Sequence, residues 1–366
     1  MLRHYIFPVL VICFNPLFAC RLWAALALTG FTLHHDSLEV RQQLDTLRAQ
    51  TTSYFNNDGW GLLGYSTQQL EPSFHWQSAE PAYSDTLFAL AEDTLLTAEY
   101  QITLAHGHVR NASSGAGAIP NPHPFVFHHE NRTLTFGHNG VIDKAGLVCL
   151  LTDGGTDSSW LNAHPPSSYG HGDWDSEGWL HVVDSELYFL WLIRNIESTG
   201  DIEAGIHQGL YLLAGADIPY NELLGMHKNF TLADGENLYA YRATVGGSQG
   251  ALDLYAAIAA EGTHHAVMSN PRNIDGEGSQ PWEPIELNYL LKLTPDPSSI
   301  SWTLIPQEGD VSQDNMIDVL DLVWLVDIIL LGDPPTQIQL ATGDMDENEA
   351  LDISDVLQLL AIILET

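Results

Sequence analysis

The sequence predicts an α+β layered domain followed by a small, separate C-terminal unit. Three observations lead there. Short β-rich runs bounded by Gly, Asn and Asp come in groups, and stretches with helical spacing come in others. Near residue 305 the composition changes abruptly, and the segment beyond it repeats itself. Grouping of this kind argues against the strict alternation of a parallel βαβ sheet. The 366 residues suffice for one large domain and a small one, and 45% hydrophobic content supports a packed core.

The elements follow in chain order. "MLRHYIFPVLVICFNPLFA" over 1–19 has a weakly basic start, an apolar stretch and a closing Ala19. It reads as a signal peptide, too short and too broken by Asn15 and Pro16 to span a bilayer, and it implies an extracytoplasmic protein. "LFAC" partly resembles a lipobox, with bulky Phe18 where that motif wants a small residue, so a lipoprotein is the rival reading. No later stretch is long and apolar enough to be a transmembrane span. "SLEVRQQLDTLRAQ" and "DSELYFLWLIRNIES" have helical spacing; in the second, Leu187, Leu190, Trp191 and Ile193 can share a face behind an Asp184 or Ser185 N-cap. "ITLAHGHVR", "RTLTFGHNGVI", "NFTLADGENLYAYRATV" and "HHAVMSN" read as strands, with "ADGE" as a hairpin turn. "LTPDPSSISWTLIPQEGD" reads as a last strand running into a linker. With Cys13 in the leader, the mature chain keeps Cys20 and Cys149, so no disulfide framework is expected; Cys149, in "AGLVCLL", reads as a buried small hydrophobe.

Acidic residues outnumber basic ones 47 to 12, a formal charge of -35. That excess argues against nucleic acid as a partner, because phosphate contacts need Lys and Arg. It suits a secreted protein or one that binds cations. The terminal repeat points to cations. "GDVSQDNMIDVLDLVWLVDIIL" from Gly309 and "GDMDENEALDISDVLQLLAIIL" from Gly343 align at an offset of 34 residues. Asp310, Ser312, Asp314, Asp318 and Asp321 occupy positions 1, 3, 5, 9 and 12 of a twelve-residue loop, and Asp344, Asp346, Asn348, Asp352 and Asp355 occupy the same positions of the second. Calcium takes six to eight oxygens, and this alternation in a turning loop directs oxygens inward, so two calcium ions are expected. Position 12 is Asp rather than the Glu of an EF-hand, and position 6 is Asn315 or Glu349 rather than Gly. The duplicated loop-then-helix pattern over 309–366 resembles a type I dockerin. The resemblance implies a small all-α, calcium-folded domain over 306–366 and a cohesin-bearing protein as partner. Positions 10 and 11, where that family often carries recognition residues, are Val319–Leu320 and Ile353–Ser354.

Cleavage after Ala19 would give Cys20 a free α-amine beside its own thiol, so one residue would supply nucleophile and base. After "CRLWAAL" come, in order, "NDGWG" at 57–61, "HGHVRNASSG" at 106–115, "NPHPF" at 121–125, "HNG" at 138–140 and "DSE" at 184–186. This ordered series resembles the class II glutamine amidotransferases of the N-terminal-nucleophile (Ntn) hydrolase superfamily, most of all the stand-alone members. "NLYAYR" and "SNPRNIDGEGSQPWEPIELNYLL" extend the likeness to about residue 300. The resemblance implies a four-layer αββα sandwich of antiparallel sheets over 20–305. It implies Cys20 as nucleophile, with an oxyanion hole from the Asn139 side-chain amide and the Gly140 N–H. Arg110 would hold the substrate α-carboxylate and Asp184 its α-ammonium, on glutamine or a γ-glutamyl small molecule, with no cofactor for catalysis. Departures from the family are Asn111 after Arg110, Pro122 inside "NPHPF", a Gly-rich loop in "GAGAIPNP" and a long insertion from Thr152. No second catalytic domain is legible to accept ammonia, so hydrolysis or a partner protein is implied.

Other readings carry less. His106 and His108 could be a zinc pair, but no H-E-x-x-H motif or fixed third ligand accompanies them. His138 reads as a structural partner beside Asn139, and Asp58 and Trp60 as loop-fixing and packing residues. "NAS" at 111 and "NRT" at 131 match glycan acceptors at the level of chance. Two rivals to the enzymatic reading stay open: an inactive scaffold tethered by its dockerin, and a Cys acylase of the same superfamily acting on another amide.

Overall fold

The computed structural model describes residues 20–53, 56–67, 69–115, 118–168, 182–214, 226–245, 253–259, 262–271, 281–312, 317–332, 334–346 and 348–365. The expected leader over 1–19 and Asp314 of the first acidic loop lie outside the described residues.

The chain runs through β1 (Arg21–Ala27), α1 (Ser37–Ser53), β2 (Trp60–Ser66), β3 (Pro72–Ser78), α2 (Thr86–Leu96), β4 (Ile102–Val109), β5 (Phe125–His129) and β6 (Arg132–Asn139). It continues with α3 (Lys144–Leu151), α4 (Ser159–Ala163), α5 (Asp184–Thr199), α6 (Ile202–Ala214), β7 (Met226–His227), β8 (Asn229–Ala233), β9 (Leu238–Arg242) and β10 (Thr244–Val245). Then come β11 (Leu254–Ala257), β12 (His264–Ser269), β13 (Glu283–Pro284), β14 (Tyr289–Leu293), β15 (Ser301–Leu304), α7 (Val319–Leu331), α8 (Gln337–Gly343) and α9 (Ile353–Glu365). A seven-stranded sheet has the order β13-β11-β12-β1-β4-β2-β3, and a six-stranded sheet has the order β15-β14-β9-β8-β6-β5. Their ladders are antiparallel, as the grouping of strands and helices led one to expect.

Strand β1 explains the layering. Its seven residues, RLWAALA, are all buried, so both faces of the strand are covered. Trp23, Ala25 and Ala27 pack with Val40, Leu44 and Leu47 of α1 and Phe88 and Leu95 of α2. Leu22, Ala24 and Leu26 alternate to the other face and meet Ala233, Leu238, Ala240, Leu291 and Leu293 of the second sheet. On the far side of that sheet, Leu134, Phe136, Phe230 and Leu232 pack against Leu187, Tyr188 and Phe189 of α5 and Leu210 of α6. Helix, sheet, sheet and helix are thus stacked around three apolar cores. Burial of each Leu or Phe side chain contributes about 1.5–3 kcal/mol, so the two-faced strands anchor the stack.

The 184–198 helix forms as α5, but its N-cap is Val183 rather than Asp184 or Ser185, and no side chain caps it. Asp184 is turned to another use, described below. The "ADGE" turn joins β8 to β9; Gly235 has φ +87, and Asp234 Oδ1 accepts from the N–H groups of Glu236 at 2.9 Å and Asn237 at 2.6 Å. Cys149 is exposed rather than buried. The eight-residue α3 buries Leu147 and Leu151, four residues apart, which leaves Cys149 on the opposite side.

Beyond β15 the chain forms α7, α8 and α9 around a small core of Val311, Leu325, Met345, Val356 and Leu359. The connection is hydrogen-bonded at both ends. Gln307 Nε2 donates to Asn288 Oδ1 at 2.9 Å, and Gly309 N donates to the Thr342 carbonyl at 2.7 Å. Among the described residues no helix is long and apolar enough to cross a membrane.

Candidate active site and acidic loops

One end of the sandwich collects the residues singled out in the sequence. In the first sheet Arg21 pairs with Val109, and Val109 pairs with Trp60, so the chain ends of β1, β4 and β2 lie side by side. The ladder continues past the strands: Arg110 N donates to the Gly59 carbonyl at 2.9 Å and Asp58 N to the Arg110 carbonyl at 3.2 Å. Cys20 therefore falls beside Arg110. Its Sγ receives the Asn111 N–H at 3.4 Å and lies 3.4 Å from the Asn111 carbonyl. Asp58 Oδ2 accepts from Ala112 N at 2.8 Å, fixing the loop that holds Asn111. Gly61 has no room for a side chain, because a Cβ there would run into the His123 carbonyl of "NPHPF".

The second sheet supplies the opposite wall. Asn139 ends β6, registered with Asn229 of β8, and Gly140 follows. Asn139 is 1% exposed; its Nδ2 lies 3.4 Å from Ser269 Oγ, and its Oδ1 has no hydrogen-bond partner among the described residues. Asp184, 3% exposed, accepts from Ile142 N through Oδ2 at 3.1 Å, which ties the start of α5 to the chain just after Gly140. Arg110 is held by the Ser114 carbonyl, 2.6 Å from Nη2. Burial pushes the Cys20 thiol up from its ordinary value; the Asn111 N–H and the charges of Arg110 and Arg21 pull it down, and Asp184 pushes it up. Burial pushes Arg110 down from its ordinary value, and the charges of Cys20, Asp58 and Asp184 pull it back up. Asn111 and Ser269 touch this site although the motifs that contain them, "HGHVRNASSG" and "SNPRN", give no role to either residue.

His138 Nδ1 meets Ser185 Oγ at 2.8 Å, a structural role, and Trp60 Nε1 donates to Asp85 at 3.0 Å while packing on Phe88. His106 bonds Thr231 at 2.6 Å, and His108 stacks on His123 with centroids 4.2 Å apart. Among the described residues neither His106 nor His108 belongs to a set of three side chains placed to hold a metal. Burial keeps these rings neutral. It pushes His106 down to about 3 and His265 to about 4, and holds His108 and His123 well below the ordinary imidazole value. In the unfolded chain each takes a proton near pH 6.5. Their contribution to stability is therefore complete above about pH 6.5 and is lost as pH falls toward the folded values. Glu92, raised to about 7 by burial, works in the opposite sense but is one group against six, since burial also pushes His75 down to about 4 and lowers His264. The melting temperature, followed by calorimetry, is expected to drop steadily from about pH 6.5 to 4. A melting temperature that rises over that range contradicts the assignment.

In the C-terminal segment Asp344, Asp346 and Asp355 bring carboxylate oxygens within 4.8 Å of one another. Asp344 accepts from Asn348 N at 3.0 Å and Glu349 N at 2.7 Å, and Asp355 from Met345 N at 2.8 Å and Asp352 N at 2.7 Å. Glu349, at loop position 6, has φ +66, the left-handed turn that an EF-hand assigns to Gly. The first loop repeats the plan: Asp321 accepts from Ser312 N and Asp318 N, each at 2.8 Å, and buried Ser312 Oγ has no partner among the described residues. Asp321 and Asp355 are both fully buried. No Lys, Arg or His follows Lys292, a sequence signal in its own right, so no basic side chain of this segment can neutralise them. The donor set is hard oxygen, which fits calcium.

Residues 34–164 match the family model of the class-II glutamine amidotransferases. The matched segment runs from just before α1 to just after α4, within the two-sheet part of the chain. Among solved structures, the chain is similar to a glutamine phosphoribosylpyrophosphate amidotransferase from B. subtilis, with TM-score 0.50 and 14% identity, covering 79% of this chain and 50% of that one. It is also similar to a glutamine aminotransferase class-II domain protein from Silicibacter pomeroyi, with TM-score 0.45 and 16% identity, covering 78% of this chain and 100% of that one. A curated relative, the uncharacterized protein MJ1515 of Methanocaldococcus jannaschii, is 25% identical over 210 residues, 56% of this chain. The match spans about half of that relative's length, 47%.

Proposed function

We propose that this chain is an extracytoplasmic amidohydrolase that uses Cys20 on the side-chain amide of glutamine or of a γ-glutamyl compound. Three links support this reading: Cys20 Sγ lies on the Asn111 peptide, Arg110 Nη2 and Asp184 N both bond Ser114, and Leu22 N and Asn139 Nδ2 both reach Ser269 Oγ. Arg110 and Asp184 suit the two charged groups of an α-amino acid, and a planar guanidinium suits a bidentate carboxylate. Removal of residues 1–19 frees the α-amine of Cys20. Because burial raises the thiol, the amine acts as base: it takes the Sγ proton as sulfur bonds to the amide carbon. The carbonyl π pair moves onto oxygen, where Asn139 Nδ2–H and Gly140 N–H donate to it. The α-ammonium returns its proton to the leaving nitrogen, ammonia departs, and a thioester remains. Water, deprotonated by the amine, attacks that carbon; the C–S bond breaks and the carboxylate product and thiol are released.

Residues 306–366 act in this reading as a dockerin-like tether. Asp310, Ser312, Asp314, Asp318 and Asp321 hold one calcium ion, and Asp344, Asp346, Asn348, Asp352 and Asp355 hold the other. Val319, Val323 and Leu330 of α7 are exposed, as are their repeat mates Ile353, Leu357 and Leu364 of α9, which supports docking on a cohesin-bearing partner.

The test is ammonia release from glutamine and γ-glutamyl amides by protein beginning at Cys20, against protein retaining residues 1–19, which is expected to be inert. Asn139→Ala is expected to lower kcat by about 10²–10³-fold, the worth of one oxyanion donor. Turnover of other amides alone favours the Cys acylase reading, and no turnover of any amide favours the scaffold.

A further inference from the structure

Ser269, at the end of β12, touches both halves of the site without being part of either. It is fully buried. Because Trp23 is registered with Met268, the next residue of β12 comes opposite Leu22, and Ser269 Oγ accepts the Leu22 N–H at 3.2 Å. The same oxygen lies 3.4 Å from Asn139 Nδ2, which belongs to the other sheet. The Ser269 backbone is fixed from behind. Gln50 Nε2 of α1 donates to the Ser269 carbonyl at 3.3 Å and to the Asn270 carbonyl at 2.9 Å, and Asn270 turns the chain away with φ +53. One hydroxyl therefore bridges the strand that begins beside Cys20 and the carboxamide proposed for the oxyanion.

We propose that Ser269 is a positioning residue that sets the rotation of the Asn139 carboxamide relative to Cys20. This rests on the amidohydrolase reading above. The terminal torsion of Asn is broad and two-fold, so an unheld amide can present either its oxygen or its nitrogen to a developing oxyanion. The oxygen is an acceptor and repels it. With one Nδ2 hydrogen directed at Ser269 Oγ, the second is free for the transition state. Ser269 Oγ is engaged by Leu22 N and Asn139 Nδ2, so its influence falls on kcat rather than on substrate binding.

The test compares Ser269→Ala, Asn139→Ala and the double variant, all beginning at Cys20, with glutamine as substrate. Ser269→Ala is expected to lower kcat by roughly 10–100-fold with KM changed by less than about 2-fold. The double variant is expected to match Asn139→Ala alone, since the hydroxyl acts only through that amide. Independent losses that multiply, or an unchanged kcat, overturn the proposal. A second readout does not depend on turnover: the side-chain amide resonances of Asn139, assigned by their loss in Asn139→Ala. In Ser269→Ala they are expected to shift and exchange faster, while those of Asn195, which donates to the Trp191 carbonyl at 2.8 Å, stay in place. If the protein hydrolyses no amide, the functional reading fails and this arm alone decides the tie; unmoved Asn139 resonances then overturn it.

Discussion

Cys20→Ala in protein that otherwise begins at residue 20 is expected to lose at least about 10⁴-fold in kcat on glutamine, with the fold and melting temperature retained. The reason is that the substitution removes the atom that bonds to the amide carbon. Arg110, Asp184 and Asn139 remain, so the variant should still bind glutamine with an affinity within a few-fold of the parent. Cys20→Ser is expected to be nearly as damaged, because an α-amine of pKa near 8 activates a hydroxyl far less well than a thiol. Retention of the fold follows from the small size of the side chain and its contacts, which are with the Asn111 peptide and not with an apolar core. The checks are steady-state kinetics and calorimetry on the same samples. Turnover by the alanine variant at more than about a hundredth of the parent rate removes Cys20 from the mechanism.

The second large effect concerns the acidic loops. Chelation of calcium is expected to unfold α7–α9 as a separate transition and to leave the melting of the two-sheet domain within about 2 °C of its starting value. The buried carboxylates of Asp321 and Asp355 each receive two backbone N–H groups and no basic side chain of their own segment. Without a cation that burial is costly, and the small core around Leu325 and Leu359 is too slight to offset it. At a hundredfold excess over the dissociation constant, bound calcium stabilises by about 2.7 kcal/mol per site. Returning calcium should restore helicity, and magnesium, which demands a smaller octahedral shell, should do so poorly. Titration calorimetry should count two sites, falling to one in Asp355→Ala. Helicity unchanged by chelator contradicts the assignment.

Much of this was legible in the residues. The strands β4, β6, β8, β9 and β12 and the helices α1 and α5 announce themselves by periodicity and turn residues, while a shared role for Cys20, Arg110, Asn139 and Asp184 came only from the resemblance that the ordered motifs carry. What stayed hidden is non-local. "RLWAALA" carries no alternation because β1 is buried on both faces, and its neighbours β12 and β4 come from distant parts of the chain. Cys149 lies in an apolar run whose period could not be fixed over eight residues, so its outward side was invisible. Asp184 looked like a helix cap because carboxylates favour that position; its bond to Ile142 N depends on the loop after β6, distant in sequence. Ser269 opens the "SNPRN" stretch, but nothing in that stretch signals a contact with Asn139; only the packing of two sheets brings the two together.

The most direct measurement is the mass of the N-terminal peptide taken from a turnover mixture quenched in acid. The account predicts a peptide that begins at Cys20 with an unmodified α-amine and carries a γ-glutamyl group on sulfur, removable by hydroxylamine. A turning-over enzyme whose chain begins elsewhere, whose Cys20 amine bears an acyl chain, or whose sulfur never acquires the glutamyl group contradicts it.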